Sequence, residues 1–334
     1  MAGSPEHRLP APTIDDVARL AGVSRATASR ALFSEKRPVS ALNRERVLAA
    51  ADQLGYRINP MARSLTTKTV DLVAVLVNHI HDLSDLDLFD LLIAETQAVG
   101  KQVILIRIGS GDRVEEFLRR GIAYHVDAAL VFSDFADAGT VRRLFHSDHV
   151  LMLNGRHDRL SPAIMPDEAT GIGAAAADAA AKGVRTAALV TGRASSLVEQ
   201  ARIDLYHQAL ARCGIELRRT IRGDYSYASG RDAGNLMAGP DAPDAVFCTS
   251  DATAMGILDA RREDFPEGQP RRFRLYGFDN ISLLEFGAYP ISSIGYDKAA
   301  YLGEMMRFLR DPEGFAPAGS PVLVPTRFVA RATG

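Results

Sequence analysis

Hydrophobic and polar positions divide the chain into two textures. Over residues 13–55 apolar residues recur at helical spacing in three short stretches. In the first, Val17, Ala18 and Leu20–Ala21 line one face, Thr13 stands at the N-cap, and Asp15 and Asp16 suit the helix dipole. Gly22 ends it where glycine enters a left-handed conformation cheaply. Ser24 then caps a second helix through Leu32, whose apolar positions are the small Ala28 and Ala31. Ser40 or Asn43 caps a third, with Val47, Leu48, Ala51 and Leu54 as its buried stripe and Gly55 as its end.

From Val70 short apolar runs alternate with amphipathic segments. Strands are predicted at 71–77, 102–108, 128–132 and 150–153, with helices at 86–99, 113–120 and 139–145 between them. The pattern restarts with helices at 171–182, 198–212, 229–237 and 251–262 and strands at 186–190, 217–221, 245–248 and 273–276. Two successive sets of βα units imply two similar lobes, each a parallel sheet covered on both faces. The segments 293–296 and 322–329 are placed to cross back between them.

The second of the three N-terminal helices carries chemistry. Its polar face offers Ser24, Arg25, Thr27, Ser29 and Arg30. A short helix of this kind fits a DNA major groove, where hydroxyls and arginines bind phosphate and arginine grips guanine with two hydrogen bonds. Charge agrees. Residues 1–70 carry 11 Lys and Arg against 6 Asp and Glu, a net +5, whereas the remainder carries 28 against 35, a net −7. A basic head is drawn to phosphate that the acidic body repels.

Composition excludes several classes. Hydrophobic residues make up 47% of the 334, too many for a disordered chain. Cys213 and Cys248 form no disulfide framework. The stretch MAGSPEHRLPAP has no apolar signal core and no run reaches membrane-span length, so a cytoplasmic location is expected. No GxSxG, GxxxxGK[ST] or HExxH motif is present, so no enzyme is expected. His79, His81 and Asp82 are too few converging ligands for a metal site, and no cofactor or metal is expected.

TIDDVARLAGVSRATASRAL (13–32), VSALNRERVLAAADQLGY (39–56) and NPMARSL (59–65) together resemble, in order and spacing, the LacI/GalR family of bacterial transcription repressors. The resemblance implies an N-terminal all-α helix-turn-helix head at 1–58 and a hinge helix and linker at 59–69. It implies an α/β core of two parallel-sheet lobes at 70–334, similar to periplasmic binding proteins, that binds effector and dimerises. The DNA-contacting set is then Thr13, Ser24, Arg25, Ala26, Thr27, Ser29 and Arg30 on the head, with Asn59, Ala62, Arg63 and Leu65 on the hinge. Leu65 stands where the family inserts a leucine into the minor groove, a wedge that kinks DNA.

The partners implied are double-stranded operator DNA, a small-molecule effector and a second copy of the chain; no membrane is involved. No heptad repeat follows Val329, which favours a homodimer over a tetramer. The effector-binding set, taken from strand ends and the resemblance, is Asn154, Ser196, Arg202, Tyr225, Ser250, Asp251, Asp279 and Tyr296. Asp279 and Arg202 match family residues that hydrogen-bond the ligand, and Tyr225 an aromatic that stacks on it. The effector implied is a sugar or sugar derivative. The alternatives are a corepressor-dependent regulator that senses a nucleobase, or a transport solute-binding protein.

Overall fold

The computed structural model describes residues 12–33, 39–56, 69–78, 83–120, 125–153, 161–194, 196–237, 242–264, 273–317 and 319–334. The chain forms two units, Met1–Val70 and Asp71–Gly334. No helix among the described residues is long and apolar enough to cross a membrane.

In the first unit Thr13 and Asp16 close a reciprocal capping box at the start of α1 (Ile14–Ala21), and Gly22 ends it in the left-handed region. α2 (Arg25–Phe33) starts behind Ser24, whose hydroxyl accepts from the Thr27 N–H at 3.1 Å. α3 (Ala41–Leu54) is capped by Ser40 and ended by left-handed Gly55. The periodicity puts Leu20 and Leu48 on the buried face, but both are about half exposed, at 47% and 50%. The interface is instead built from Val17 and Val47 among the small Ala18, Ala21, Ala28, Ala31, Ala50 and Ala51. Small side chains let the three helices approach closely, and Ile14, Leu32 and Leu54 pack at the margin of that interface.

The second unit holds two sheets. Sheet one has the order β2-β1-β3-β4, from β1 (Leu72–Val77), β2 (Gln102–Arg107), β3 (Ala128–Val131) and β4 (Val150–Met152), all parallel. Between these strands run α4 (Leu83–Ala98), α5 (Gly111–Arg120) and α6 (Ala138–Phe145). Both faces of β1 are buried, which accounts for its unbroken apolar run.

Sheet two has the order β5-β11-β10-β9-β8-β6-β7. Its strands are β5 (Ile164–Asp167), β6 (Thr186–Thr191), β7 (Glu216–Arg222), β8 (Ala245–Cys248), β9 (Arg274–Phe278), β10 (Ser292–Tyr296) and β11 (Val322–Val329). Around it lie α7 (Glu168–Ala181), α8 (Leu197–Arg212), α9 (Tyr227–Asn235) and α10 (Asp251–Asp264). One expectation needs correcting: this sheet is not wholly parallel, because β11 runs antiparallel to β10.

Three described elements were not predicted: β5, a single 3-10 turn at Ser282–Glu285, and α11 (Lys298–Arg310). β5 is a four-residue strand containing Pro166, too short for a period to show. α11 buries Leu302, Met305, Met306, Phe308 and Leu309 in the core of the first lobe, beside Leu88, Phe89 and Leu92 of α4. The chain therefore returns from sheet two to the first lobe before entering β11, and the lobes share three connecting segments.

Candidate functional site

The head presents one polar helix face. Ser24, Arg25, Ala26 and Arg30 are exposed and Thr27 and Ser29 half-exposed, while Ala28 and Ala31 hold the opposite side in the core. Arg25 has 71% of its side chain exposed and lies 3.6 Å from Asp15, a pairing that water screens heavily. The Arg30 Nε donates to the Ala26 carbonyl one turn back at 3.2 Å. Thr13 is exposed, but its hydroxyl is spent on the cap: it donates to Asp16 Oδ2 at 2.7 Å and accepts from the Asp16 N–H. The bond from the Thr13 hydroxyl, with a second from the Thr13 backbone N–H to the same oxygen at 2.9 Å, holds the Asp16 carboxyl below its usual range. Asn59, Ala62, Arg63 and Leu65 lie outside the described residues.

The second unit contains a cavity of about 440 Å³ between its two sheets. Leu88, Phe132 and Leu153 line it from the first lobe, Glu168, Ala201, Arg202 and Asp279 from the second, Tyr296 from the end of β10 and Tyr301 from α11. It opens where β3, β4, β5, β9 and β10 end, as ligand sites of open α/β sheets do. Most of the wall is apolar, with few polar groups, a usual composition for a small-molecule site.

Arg202 is the centre of the polar wall. It points from α8 and meets Glu168 side by side: Nε donates to Oε2 at 2.9 Å and Nη2 to Oε1 at 2.6 Å. Nη1 donates to the Thr249 carbonyl at 3.0 Å, and the guanidinium carbon lies 3.8 Å from the Phe278 ring centroid. Burial opposes the charge, yet Glu168 and then Glu199 outweigh it and hold the guanidinium well above its ordinary value.

Glu199 continues the network one helical turn away. It accepts from the Gly192 N–H and Thr249 Oγ1 through one oxygen and from the Tyr225 hydroxyl, at 2.7 Å, through the other. Neither glutamate was singled out in sequence. Glu168 reads there as an acidic residue opening a helix, and its arginine lies 34 positions away.

Asp279 follows β9 with φ 105° and Asn280 has φ 47°, two consecutive non-glycine residues with positive φ. The turn is over-determined by its neighbours. The Asp279 N–H donates to Ile294 O at 2.7 Å, the Asn280 N–H to Ser293 Oγ at 3.1 Å, and Arg331 donates to Asn280 Oδ1 at 2.9 Å. Gly295 is required beside it, since a Cβ there would stand 2.4 Å from that of Asn280. Backbone strain held this way collects at ligand clamps.

Of the eight effector-site residues read from sequence, Arg202, Asp279 and Tyr296 line the cavity, and Asn154 lies outside the described residues. The remaining four stand behind the wall. Ser196 caps α8 and Ser250 accepts from the Thr253 N–H at the start of α10. Tyr225 has φ 70°, its hydroxyl on Glu199 and its ring against Gly192, so it braces the polar network where the resemblance implies stacking. Asp251 is fully buried; it accepts from Ser293 Oγ at 2.6 Å and the Ile281 N–H at 3.0 Å, and so ties α10 to the turn after β9. Loss of its hydration pushes the carboxyl up to about 7.

Comparison with known proteins agrees with this build. Residues 13–59 match the profile of bacterial regulatory proteins of the lacI family, and residues 176–333 match a periplasmic binding protein-like domain. The HTH-type transcriptional repressor CytR of Escherichia coli is 29% identical over 311 residues, covering 90% of this chain and 89% of its own. The HTH-type transcriptional repressor PurR of Vibrio vulnificus is 28% identical over 293 residues, covering 86% and 87%. Among solved structures, the lac repressor dimer bound to operator and an anti-inducer superposes with a TM-score of 0.81 at 23% identity, covering 96% of this chain and 98% of that one. The cellobiose complex of the regulator CelR gives 0.67 at 24% identity, covering 97% and 100%.

A helix-turn-helix head joined to a two-lobed core with a ligand-sized cavity defines an effector-controlled, DNA-binding transcriptional regulator. Its head matches the lacI family of bacterial regulatory proteins, and most of its length is similar to repressors such as CytR.

Proposed function

We propose that this chain is a homodimeric repressor whose α2 helix reads operator DNA and whose cavity senses a small metabolite. The observation that carries the reading is the pairing, in one chain, of the exposed Ser24–Arg30 face with the cavity walled by Arg202, Asp279 and Tyr296. One head reads one half-site, so a dimer reads a pseudo-palindrome. The repressor names of the relatives support the direction of control, and the cellobiose complex of a fold neighbour supports a sugar or sugar derivative as effector. The reading assigns the chain no catalytic step.

The boundaries at 58/59 and 69/70, the hinge contacts of Asn59, Ala62, Arg63 and Leu65, and the cytoplasmic location belong to the same proposal. Control works by population shift: an effector with unequal affinity for two lobe arrangements changes DNA affinity by the same factor that DNA changes effector affinity. Footprinting on genomic fragments with the full-length protein tests it. Protection of two symmetric half-sites is expected; a single unpaired half-site, or no protection, would overturn the dimeric repressor.

A further inference from the structure

Arg202 is the one cationic side chain among the described residues lining the cavity, and the carboxylates of Asp167, Glu168 and Asp279 line it too. An arginine in a ligand cavity ordinarily suggests an anion receptor, because its fork grips phosphate or carboxylate with two parallel bonds. Here that fork is occupied. The Nε and Nη2 edge is taken by both oxygens of Glu168, Nη1 is turned to the Thr249 carbonyl, and one face lies on Phe278. Arg202 and Glu168 are buried together, with 11% and 7% of their side chains exposed, and Glu199 Oε2 stands 3.7 Å from Nη1. The guanidinium charge is therefore balanced within the protein before any ligand arrives.

Resting on the effector-sensing reading of the cavity, we propose that Glu168 is a specificity-determining residue. It makes the effector a hydroxyl- or amine-bearing compound without phosphate or carboxylate. An anionic ligand has to displace Glu168 from the guanidinium, which leaves a buried carboxylate without its partner, or else enter beside Glu168 and meet like charge at low dielectric. Hydroxyl and amine groups donate to carboxylate oxygens, and those oxygens accept more than one bond each. The apolar remainder of the wall, Leu88, Phe132, Leu153 and the tyrosines, suits the C–H face of such a ligand. Glu168 thus acts twice, as the group that fixes the plane of Arg202 and as the group that bars anions.

The test needs no prior identification of the effector. A small-molecule ultrafiltrate of the bacterium that encodes the chain is passed over an anion-exchange resin, and the unretained and salt-eluted pools, desalted and at matched ionic strength, are added to full-length protein in thermal-shift assays. Stabilisation by the unretained pool alone is expected. Stabilisation by the salt-eluted pool, alone or as well, overturns the inference while leaving the cavity as the sensor. No shift with either pool removes the effector-sensing reading itself and the inference with it. Glu168→Gln, which keeps an acceptor for Arg202 and removes the charge, is expected to gain a shift with the salt-eluted pool that the wild type lacks. A folded E168Q protein that gains none would show that another group bars anions.

Discussion

Asp87 on α4 and Ser282 after β9 are joined across the two lobes. The Asp87 carboxylate accepts from the Ser282 N–H at 2.9 Å and Oγ at 2.8 Å, and also from Lys298 Nζ at 2.6 Å. Both residues sit beside the cavity, since Leu88 lines it on one side and Asp279 lines it three positions before Ser282. Burial alone would raise the Asp87 carboxyl, but Lys298 and Ser282 outweigh that and hold it below its usual range. The sign is that of a depressed carboxylate: its contribution to stability is present above the ordinary value near 4 and is lost as pH falls further.

Asp87→Ala is therefore expected to lower stability at neutral pH by about 1–2 kcal/mol, since the partners are hydrogen-bonded but partly exposed. It should also release the Ser282 amide to hydrogen exchange while the amides of β10 stay protected. Exchange at Ser282 identical in both proteins would show that the contact does not form in solution.

Asp251 gives the opposite pH dependence. Its carboxyl is raised from 3.8 to about 7 by full burial. Between those values the folded chain keeps a proton that the unfolded chain has lost, so stability falls as pH rises and levels off above about 7. Asn at this position can still accept from the Ile281 N–H and donate to Ser293 Oγ, with no charge to bury. Asp251→Asn should raise the melting temperature at pH 8 by the equivalent of ~1–3 kcal/mol and change little near pH 4. A shift of equal size at both pH values would mean that Asp251 is not the titrating group.

Gly256 allows α9 and α10 to touch backbone to backbone. A Cβ there would stand 2.1 Å from the Tyr227 carbonyl oxygen and 2.8 Å from the Arg231 nitrogen, atoms that cannot swing aside. Gly256→Ala should destabilise by about 2–3 kcal/mol despite alanine's helix preference. Gly173 on α7 is the internal control, because a Cβ there meets nothing within 4 Å. Gly173→Ala should be neutral or stabilise by up to ~1 kcal/mol in the same denaturant titration. Equal effects at the two glycines would remove close approach as the reason for Gly256.

These predictions mark how far the sequence could be read. The caps at Thr13, Ser24 and Gly22, the strands buried on both faces and the alternation of βα units are local patterns, and they place most elements within a few residues. What was not legible joins distant positions. Glu168 meets Arg202 34 residues on, Asp87 meets Ser282 195 residues on, and no local pattern pairs them. Tyr225 shows the limit of a single residue type: an aromatic near a cleft does not reveal in sequence that its hydroxyl donates to Glu199. Helix α11 carries a local signal, an Asp297 cap and apolar residues at Tyr301, Leu302, Met305, Met306, Phe308 and Leu309; only its packing on the first lobe is non-local.

Arg25 and Arg30 separate base reading from phosphate binding. Arg25 opens α2 with its side chain 71% exposed and one loose pairing 3.6 Å from Asp15, so it is available to reach a base edge at little cost. Arg30 lies near the far end and already returns a bond to its own helix at Ala26 O, which turns it along the helix axis and suits a phosphate contact. Arg25→Ala should change the consensus recovered from a random-sequence library, with roughly 1–3 kcal/mol of discrimination lost at one base pair. Arg30→Ala should weaken all sequences alike and lower the slope of log affinity against log salt by about one. An unchanged consensus for Arg25→Ala would take base reading away from this residue. A changed consensus for Arg30→Ala with an unchanged salt slope would exchange the two roles.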